Sequence, residues 1–169
     1  MLRVLRVLRV LVVVLVALLA AIAGIGLMID QSHVASRSVV FQAAPEAIWK
    51  AVTDVDAYPT WRPDVTAVER LPAVPAGPAW VEVSGSGERL PLETVESEPP
   101  RRYVARIGPG QPFGGTWTYE IRPEGSGSRL TITERGEVYN PIFRFMARFV
   151  FGYSATMESY LDALGKRLS

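Results

Sequence analysis

The spacing of apolar and polar residues divides the chain into three parts. An uncharged, strongly apolar run extends from Val10 to Ile29. Between Val34 and Val138, short β-branched segments alternate with Gly-, Pro-, Ser- or charge-rich separators, which is typical of strands joined by short turns. From Asn140 to Leu168, apolar residues recur every three or four positions, which predicts an amphipathic helix. The stripe of this helix comprises Ile142, Met146, Phe149, Tyr153, Met157, Tyr160, Leu164 and Leu168.

The first part has the length and polarity of a membrane-spanning helix. A helix needs about 20 apolar residues to cross the hydrocarbon core, and the run has that length. Arginines precede the run and the first acidic residue, Asp30, follows it, which favours a cytoplasmic N-terminus. We therefore expect a basic cytoplasmic segment at 1–9, an uncleaved signal anchor at 10–29, a linker at 30–33 and an extracytoplasmic domain at 34–169.

A cleaved signal peptide is the alternative interpretation of the same segment. Ala21-Ile22-Ala23 is a plausible cleavage triplet, and cleavage there would release a secreted domain. The apolar run is longer than the roughly 7–15 residues usual in signal peptides, which favours the anchor.

The middle of the chain predicts one strand, two short helices and six further strands. Because the strands and helices are segregated along the chain, they indicate an α+β fold with an antiparallel sheet. The predicted helices are Pro45–Val52, Val55–Tyr58 and Asn140–Leu168. The predicted strands are Val34–Phe41, Val65–Leu71, Ala79–Val83, Glu88–Ser97, Arg102–Ile107, Gly115–Arg122 and Arg129–Val138.

Alternation within three strands predicts which side chains face the final helix. Successive side chains of a strand point to opposite faces of the sheet. One face therefore carries Trp117, Tyr119 and Ile121 in one strand, Leu130, Ile132 and Glu134 in the next, and Arg37, Val39 and Phe41 in the first.

Several local motifs, in this order, carry a resemblance that covers about residues 34–169. They are the strand-to-helix junction Phe41–Trp49, the aromatic turn Asp54–Pro63, Gly115-Thr-Trp117, the segment Gly127–Thr133 and the long final helix. Together they resemble the SRPBCC superfamily, also called START-like, Bet v 1-like or polyketide cyclase/dehydrase-like. The resemblance implies a helix-grip fold, in which a curved seven-stranded antiparallel sheet surrounds the C-terminal helix and leaves a hydrophobic cavity. The superfamily includes lipid carriers, plant hormone and pigment binders and aromatic polyketide cyclases, whereas an N-terminal membrane helix is not part of its pattern.

Composition narrows the chemistry that is available. The formal net charge is +1 and no basic stripe follows the N-terminus, which argues against a nucleic-acid partner. The chain has no cysteine, so thiolate nucleophiles and cysteine-type zinc sites are excluded. His33 is the only histidine and is interpreted as a polar residue at the membrane boundary. We expect neither a metal nor a cofactor.

Glu134 is the carboxylate most suited to a catalytic role. A carboxylate that points into an apolar cavity is a candidate for proton transfer. The structural alternative is an ion pair with Arg37 or Arg135, because the first and last strands are neighbours in the resembled fold. Tyr119 and Arg37 are the other candidates for positioning a reactive substrate.

The leading hypothesis is a membrane-anchored module that binds a hydrophobic small molecule or lipid between the sheet and the final helix. One alternative is a polyketide cyclase/aromatase-like enzyme, and another is an interaction module that has lost the open pocket. The predicted ligand-binding residues are Val39, Phe41, Trp117, Tyr119, Ile121, Leu130, Ile132, Glu134, Met146, Phe149, Tyr153 and Met157.

The first half of the final helix carries more apolar surface than one stripe requires. Phe143, Phe145 and Phe151 lie outside the stripe, with Arg144 and Arg148 between them. This half either rests on lipid headgroups near the anchor, lines the mouth of the cavity or packs on the two short helices. Gly152 separates it from a second half that is expected to be ordinary core.

Overall fold

Seven strands form one antiparallel sheet in the computed structural model, which describes residues 2–169. They are β1 Ser32–Phe41, β2 Ala67–Val74, β3 Gly77–Val83, β4 Arg89–Glu98, β5 Arg102–Ile107, β6 Phe113–Glu124 and β7 Gly127–Val138. The helices are α1 Leu2–Leu27, α2 Pro45–Thr53, α3 Tyr58–Trp61, α4 Pro141–Met146 and α5 Ala155–Leu168, with a 3₁₀ turn at Val55–Ala57 and a π-helical turn at Ala147–Phe151. The predicted α+β class and the seven-stranded antiparallel sheet are confirmed.

The strands follow the order β1-β7-β6-β5-β4-β3-β2, so only the β1–β7 pairing joins distant parts of the chain. The hairpin between β6 and β7 is longer than predicted, because Glu124 pairs with Gly127 and leaves a two-residue loop. Gly125 adopts a φ of 60° in this loop, a conformation that glycine reaches without strain. Strand β1 also begins earlier than expected and includes His33.

The core lies between one face of the sheet and helices α2 and α5. The predicted alternation is confirmed for β6 and β7, because Tyr119, Ile121, Leu130 and Ile132 are all buried on this face. The helices contribute the fully buried Ile48, Val52, Met157 and Leu164.

The prediction of one continuous helix from Asn140 to Leu168 is wrong. Helix α4 begins at the cap residue Asn140, whose Oδ1 accepts hydrogen bonds from the backbone N–H groups of Ile142 and Phe143. The π-helical turn follows, and Gly152 (φ 75°) then ends this section before α5 begins. The periodic pattern continues through the break, but the two sections pack on different partners: α4 on α1, and α5 on the sheet and α2.

Helix α1 is long and apolar enough to cross a membrane, and it is exposed along most of its length. Its C-terminal end is fixed to the domain. Gly26 is buried where a Cβ would collide with the carbonyl group of Pro141. Arg144 donates hydrogen bonds to the carbonyl oxygens of Gly26 (3.4 Å) and Ile29 (3.1 Å), the kind of partner that the free carbonyls at a helix end need.

Candidate functional site

A central cavity of about 250 Å³ lies between the sheet and the helices. Its walls come from β3, β4, β5, β6 and Glu134 of β7, and they are completed by Tyr58 of α3, by Arg62 directly after α3 and by Thr156 of α5. Most of the wall is apolar or aromatic, as in pockets for small molecules. The apolar wall includes Leu90, Leu92, Ala105, Ile107, Phe113 and Trp117.

One wall of the central cavity carries a nearly buried ion pair. Arg62 Nη1 donates to Glu82 Oε1 at 2.9 Å, and the two side chains are 10% and 11% exposed. Trp80, two residues before Glu82 on β3, donates its indole N–H to the same carboxylate oxygen at 3.2 Å. A second carboxylate, Asp64, is also paired with the guanidinium group. Burial opposes the charge of Arg62, but these carboxylates together raise its pKa above the ordinary value.

Buried tyrosines surround the same guanidinium group. The Cζ atom of Arg62 lies 4.8 Å from the ring centre of Tyr58 and 5.3 Å from that of Tyr160, within cation–π range. Burial raises the pKa of Tyr58, Tyr119 and Tyr160 above the ordinary value of 10.0, so all three are neutral phenols at physiological pH. The site therefore holds one fixed positive charge between two carboxylates and neutral aromatic groups.

Glu134 points into the central cavity, but its partner differs from the prediction. His33 Nε2 lies 3.2 Å from Glu134 Oε1, and the imidazole ring stacks on Tyr153 with the ring centres 4.0 Å apart. His33, which follows α1 by only a few residues, thus contacts a residue of the cavity wall. Gly136, opposite His33 in the β1–β7 pairing, leaves the space that the ring needs, because a Cβ there would collide with it.

The expected pair between Arg37 and Glu134 does not form. Glu134 is opposite Ala35, so His33 and Arg37 are its two diagonal neighbours on β1. Arg37 instead reaches α5, where its Nε donates to Glu158 Oε1 and its Nη2 to Ser154 Oγ, both at 2.7 Å. Its side chain is 47% exposed and does not line the central cavity.

A side cavity of about 300 Å³ adjoins the central one. The two share Phe113, Glu134 and Thr156 as wall residues, so Glu134 lies at their junction. The side cavity extends beneath α4 and the π-helical turn, where Phe143 and Phe151 line it. A larger depression of about 410 Å³ is lined by the β5–β6 turn and by the adjoining ends of β5, β6 and β7.

The predicted ligand-binding residues fall into three groups. Trp117, Tyr119 and Glu134 line the central cavity, and Tyr153 lines the side cavity. Phe41, Ile121, Leu130, Ile132 and Met157 are buried core residues, and neither cavity reaches them. The remaining three also lie outside both cavities: Val39 and Phe149 are 37% and 62% exposed, and Met146 is half-buried.

The prediction missed the polar wall, although one signal for it was present. Trp80 and Glu82 share a face of β3, and the same alternation that placed Trp117 and Tyr119 would have placed them inward. Arg62 follows directly on α3 in a turn, where no periodic pattern predicts the direction of a side chain.

A comparison with family sequence patterns matches residues 32–169 to the family described as polyketide cyclase/dehydrase and lipid transport. The chain belongs to this family. The match includes β1 and every element after it, and excludes α1. The protein is accordingly a member of the START/Bet v 1-like superfamily with a membrane-compatible helix added in front of the family domain.

Solved structures agree with this assignment. A START superfamily protein from Mycobacterium smegmatis is 22% identical with a TM-score of 0.65, and the match covers 80% of this chain and 97% of that chain. The Zhui aromatase/cyclase from Streptomyces sp. R1128 is 13% identical with a TM-score of 0.65, covering 81% and 93%. Norcoclaurine synthase from Thalictrum flavum is 12% identical with a TM-score of 0.63, covering 80% and 86%. At these identities the likeness establishes the fold alone. A comparison with curated proteins gave no match.

Proposed function

We propose that this protein is a membrane-anchored binding protein that holds an apolar small molecule or lipid in the central cavity. The observation that carries the proposal is the cavity itself, which has apolar and aromatic walls and one polar wall. An interaction module without an open pocket would have filled this space with side chains.

The size of the site suits a small apolar ligand. The central cavity of about 250 Å³ is slightly below the range of about 300–1,000 Å³ typical of ligand sites. The adjoining side cavity, of about 300 Å³, extends the available space into that range. A ligand with an extended apolar part can occupy both across the junction at Glu134.

The polar wall favours a neutral hydrogen-bonding group on the ligand. Arg62 donates three hydrogen bonds to Asp64 and Glu82, and a guanidinium group has five N–H donors. The remaining donors can serve a carbonyl or hydroxyl oxygen at the cavity wall. An anionic group is disfavoured, because two carboxylates already face the single positive charge.

We further propose that α1 is an uncleaved signal anchor with the family domain outside the cytoplasm. The arginines before the apolar run and the length of the helix support this orientation. The packing of Gly26 against α4 gives the end of α1 a role in the folded domain, which a discarded signal peptide would not have.

The test compares ligands extracted from the full-length protein and from two Ala→Phe variants. Ala105 is buried and lines the central cavity, so Ala105→Phe fills it, whereas Ala67→Phe places the same side chain on an exposed position of β2. We expect mass spectrometry of organic extracts to find an apolar compound with the wild type and Ala67→Phe, and to find it strongly depleted with Ala105→Phe. Leu92→Phe narrows the same cavity and guards against a folding defect in the first variant. Equal recovery from all the variants, or none from the wild type, would refute the proposal.

A cyclase-like enzyme is the second candidate, and the Glu134–His33 contact favours it. An aldol cyclisation removes a methylene proton, joins that carbon to a ketone and then releases water, so it needs a group that accepts and returns a proton. Glu134 lies in the cavity wall with His33 at 3.2 Å, which suits that exchange. Turnover of a linear tri-β-ketide thioester, measured as gain of aromatic absorbance, should disappear in Glu134→Gln and persist in Glu158→Gln. Undiminished turnover in Glu134→Gln removes this candidate.

A further inference from the structure

A cluster of exposed apolar side chains lies on the section Pro141–Phe151, which comprises α4 and the π-helical turn. Phe143 is 53% exposed, Phe149 62%, Val150 57% and Phe151 64%. Four large apolar residues exposed within so short a section form a surface of the kind that a membrane or a partner covers.

The position of this section next to α1 identifies what covers it. Helix α4 packs against the C-terminal end of α1, where Ile22 and Ala23 are half-buried and Gly26 is buried. From Ile22 to Leu27, the last residue of α1, the helix rises about 7–8 Å. Amphipathic segments at a membrane surface insert about 5–10 Å, so a bilayer that holds α1 reaches the depth of α4.

The charge of the section also suits a lipid surface. Residues 141–151 contain Arg144 and Arg148 and no acidic residue. Arg144 fixes the section to the end of α1 through the carbonyl groups of Gly26 and Ile29. Arg148 is exposed, and its guanidinium carbon lies 6.0 Å from the ring centre of Phe149. An apolar ring and a positive charge therefore lie next to each other on this surface. Such a pair favours the boundary between acyl chains and anionic headgroups.

The side cavity opens beneath the same section. Phe143 and Phe151 are exposed on the surface and also line the side cavity, which shares Glu134 as a wall residue with the central cavity. A bilayer in contact with these phenylalanines would therefore border the side cavity.

We propose that Pro141–Phe151 lies in the surface layer of the bilayer that α1 enters, and that the side cavity is the passage through which an apolar ligand moves between that bilayer and the central cavity. The position in the membrane depends on the anchor, and the passage rests in addition on the proposed binding function. The two parts need separate measurements.

The first measurement determines the depth of the section in a membrane. Because the chain has no cysteine, single cysteines can carry an NBD fluorophore. Phe149→Cys reports on the section and lies outside both cavities, and Ser126→Cys is the control at the far end of the β6–β7 hairpin, about 40 Å away along β7. With the full-length protein in phosphatidylcholine–phosphatidylglycerol vesicles, we expect doxyl lipids to quench the first probe and aqueous iodide to quench the second. Iodide quenching of both probes without doxyl quenching of the first would overturn the proposal.

The second measurement tests the passage. Val150 lies outside both cavities, so Val150→Asp weakens membrane contact without changing the cavity walls. Val95→Asp makes the same change at a 40% exposed position on β4. The probe is a diazirine-bearing monoacylglycerol, and the readout is photolabelling of the peptide that contains Trp117. We expect vesicle-supplied probe to label Val150→Asp about tenfold more slowly than Val95→Asp, and micelle-supplied probe to label both to the same extent.

The outcomes separate the two proposals. Equal rates from vesicles in both variants overturn the passage and leave ligand binding intact. Absence of labelling in the wild type from either source overturns the binding function and the passage together, whereas doxyl quenching at position 149 still supports the membrane contact.

Discussion

The ion pair in the wall of the central cavity predicts a large loss of stability on Glu82→Gln. The substitution removes the negative charge but keeps a side chain of the same shape. The amide oxygen can still accept from Arg62 and from the indole N–H of Trp80, whose present distances to Glu82 are 2.9 and 3.2 Å. The variant therefore isolates the effect of the charge.

The magnitude follows from the burial of both partners. Arg62 and Glu82 are only 10% and 11% exposed, so the guanidinium group would lose its less exposed counter-charge. Removing one partner of a fully buried pair costs about 3–5 kcal/mol. Because Asp64 remains as a second, half-exposed partner, we expect about 2–3 kcal/mol, or a fall of roughly 5–10 °C in Tm for a domain of this size.

The measurement is equilibrium urea unfolding of the full-length protein in dodecyl maltoside, followed by tryptophan fluorescence. Trp80 lies next to the substituted residue and reports on its surroundings. The matched control is Glu69→Gln, which breaks the pair with Arg89, whose side chains are 50% and 54% exposed. A solvent-exposed ion pair contributes little to stability, so the control should unfold at the same urea concentration as the wild type.

A double-mutant cycle completes the test. If the pair is coupled through a dry cavity wall, Arg62→Met combined with Glu82→Gln should lose less stability than the sum of the two single variants, because neither partner is left alone. Additive losses, or a Glu82→Gln variant as stable as Glu69→Gln, would show that water screens the pair and that the wall is open.

Three further predictions concern stability. Burial raises the pKa of Tyr119 and Tyr160 above 10.0, so the unfolded chain loses these two protons at a lower pH than the folded protein does. The free energy of unfolding should therefore fall as the pH rises above 10.0, which a series of Tm measurements against pH would show. A Tm that does not change with pH in this range would contradict the prediction. Gly152→Ala should cost about 1–3 kcal/mol, because φ is 75° there, whereas Gly85→Ala should cost much less in the same urea titration. Asn140→Ala removes the acceptor of two N–H groups at the start of α4 and should cost about 1 kcal/mol; an unchanged Tm would mean that α4 does not depend on its cap.

Residue patterns predicted the sheet and its inward face well. Period-two alternation depends only on the strand backbone, so Tyr119 and Ile132 could be placed before any partner was known. The resemblance to a known superfamily supplied the seven-stranded antiparallel sheet, the pairing of its first and last strands and the presence of a cavity. Strand ends were less accurate, since turn residues such as Gly127 continue into the ladder.

The break in the final helix could not be predicted from the periodicity of its apolar residues. That pattern is the same whether α4 packs on the sheet or on α1, and the choice depends on contacts between the two ends of the chain. The partner of Glu134 was equally undetermined. Two diagonal neighbours on β1 were available, and Arg37 binds Glu158 of α5 and Ser154, which precedes α5, instead of Glu134.

The end of α1 and the break in the final helix are explained best as one structural feature. In the protein, α4 turns away from the sheet to pack on α1, Arg144 binds the end of α1, and Gly152 lets the chain return to the core at α5. The cost is an exposed set of phenylalanines, which is unfavourable in water but favourable at a lipid surface. With α1 in a bilayer, as we propose, the side cavity would open towards the apolar phase at the place where the fold departs from a continuous helix.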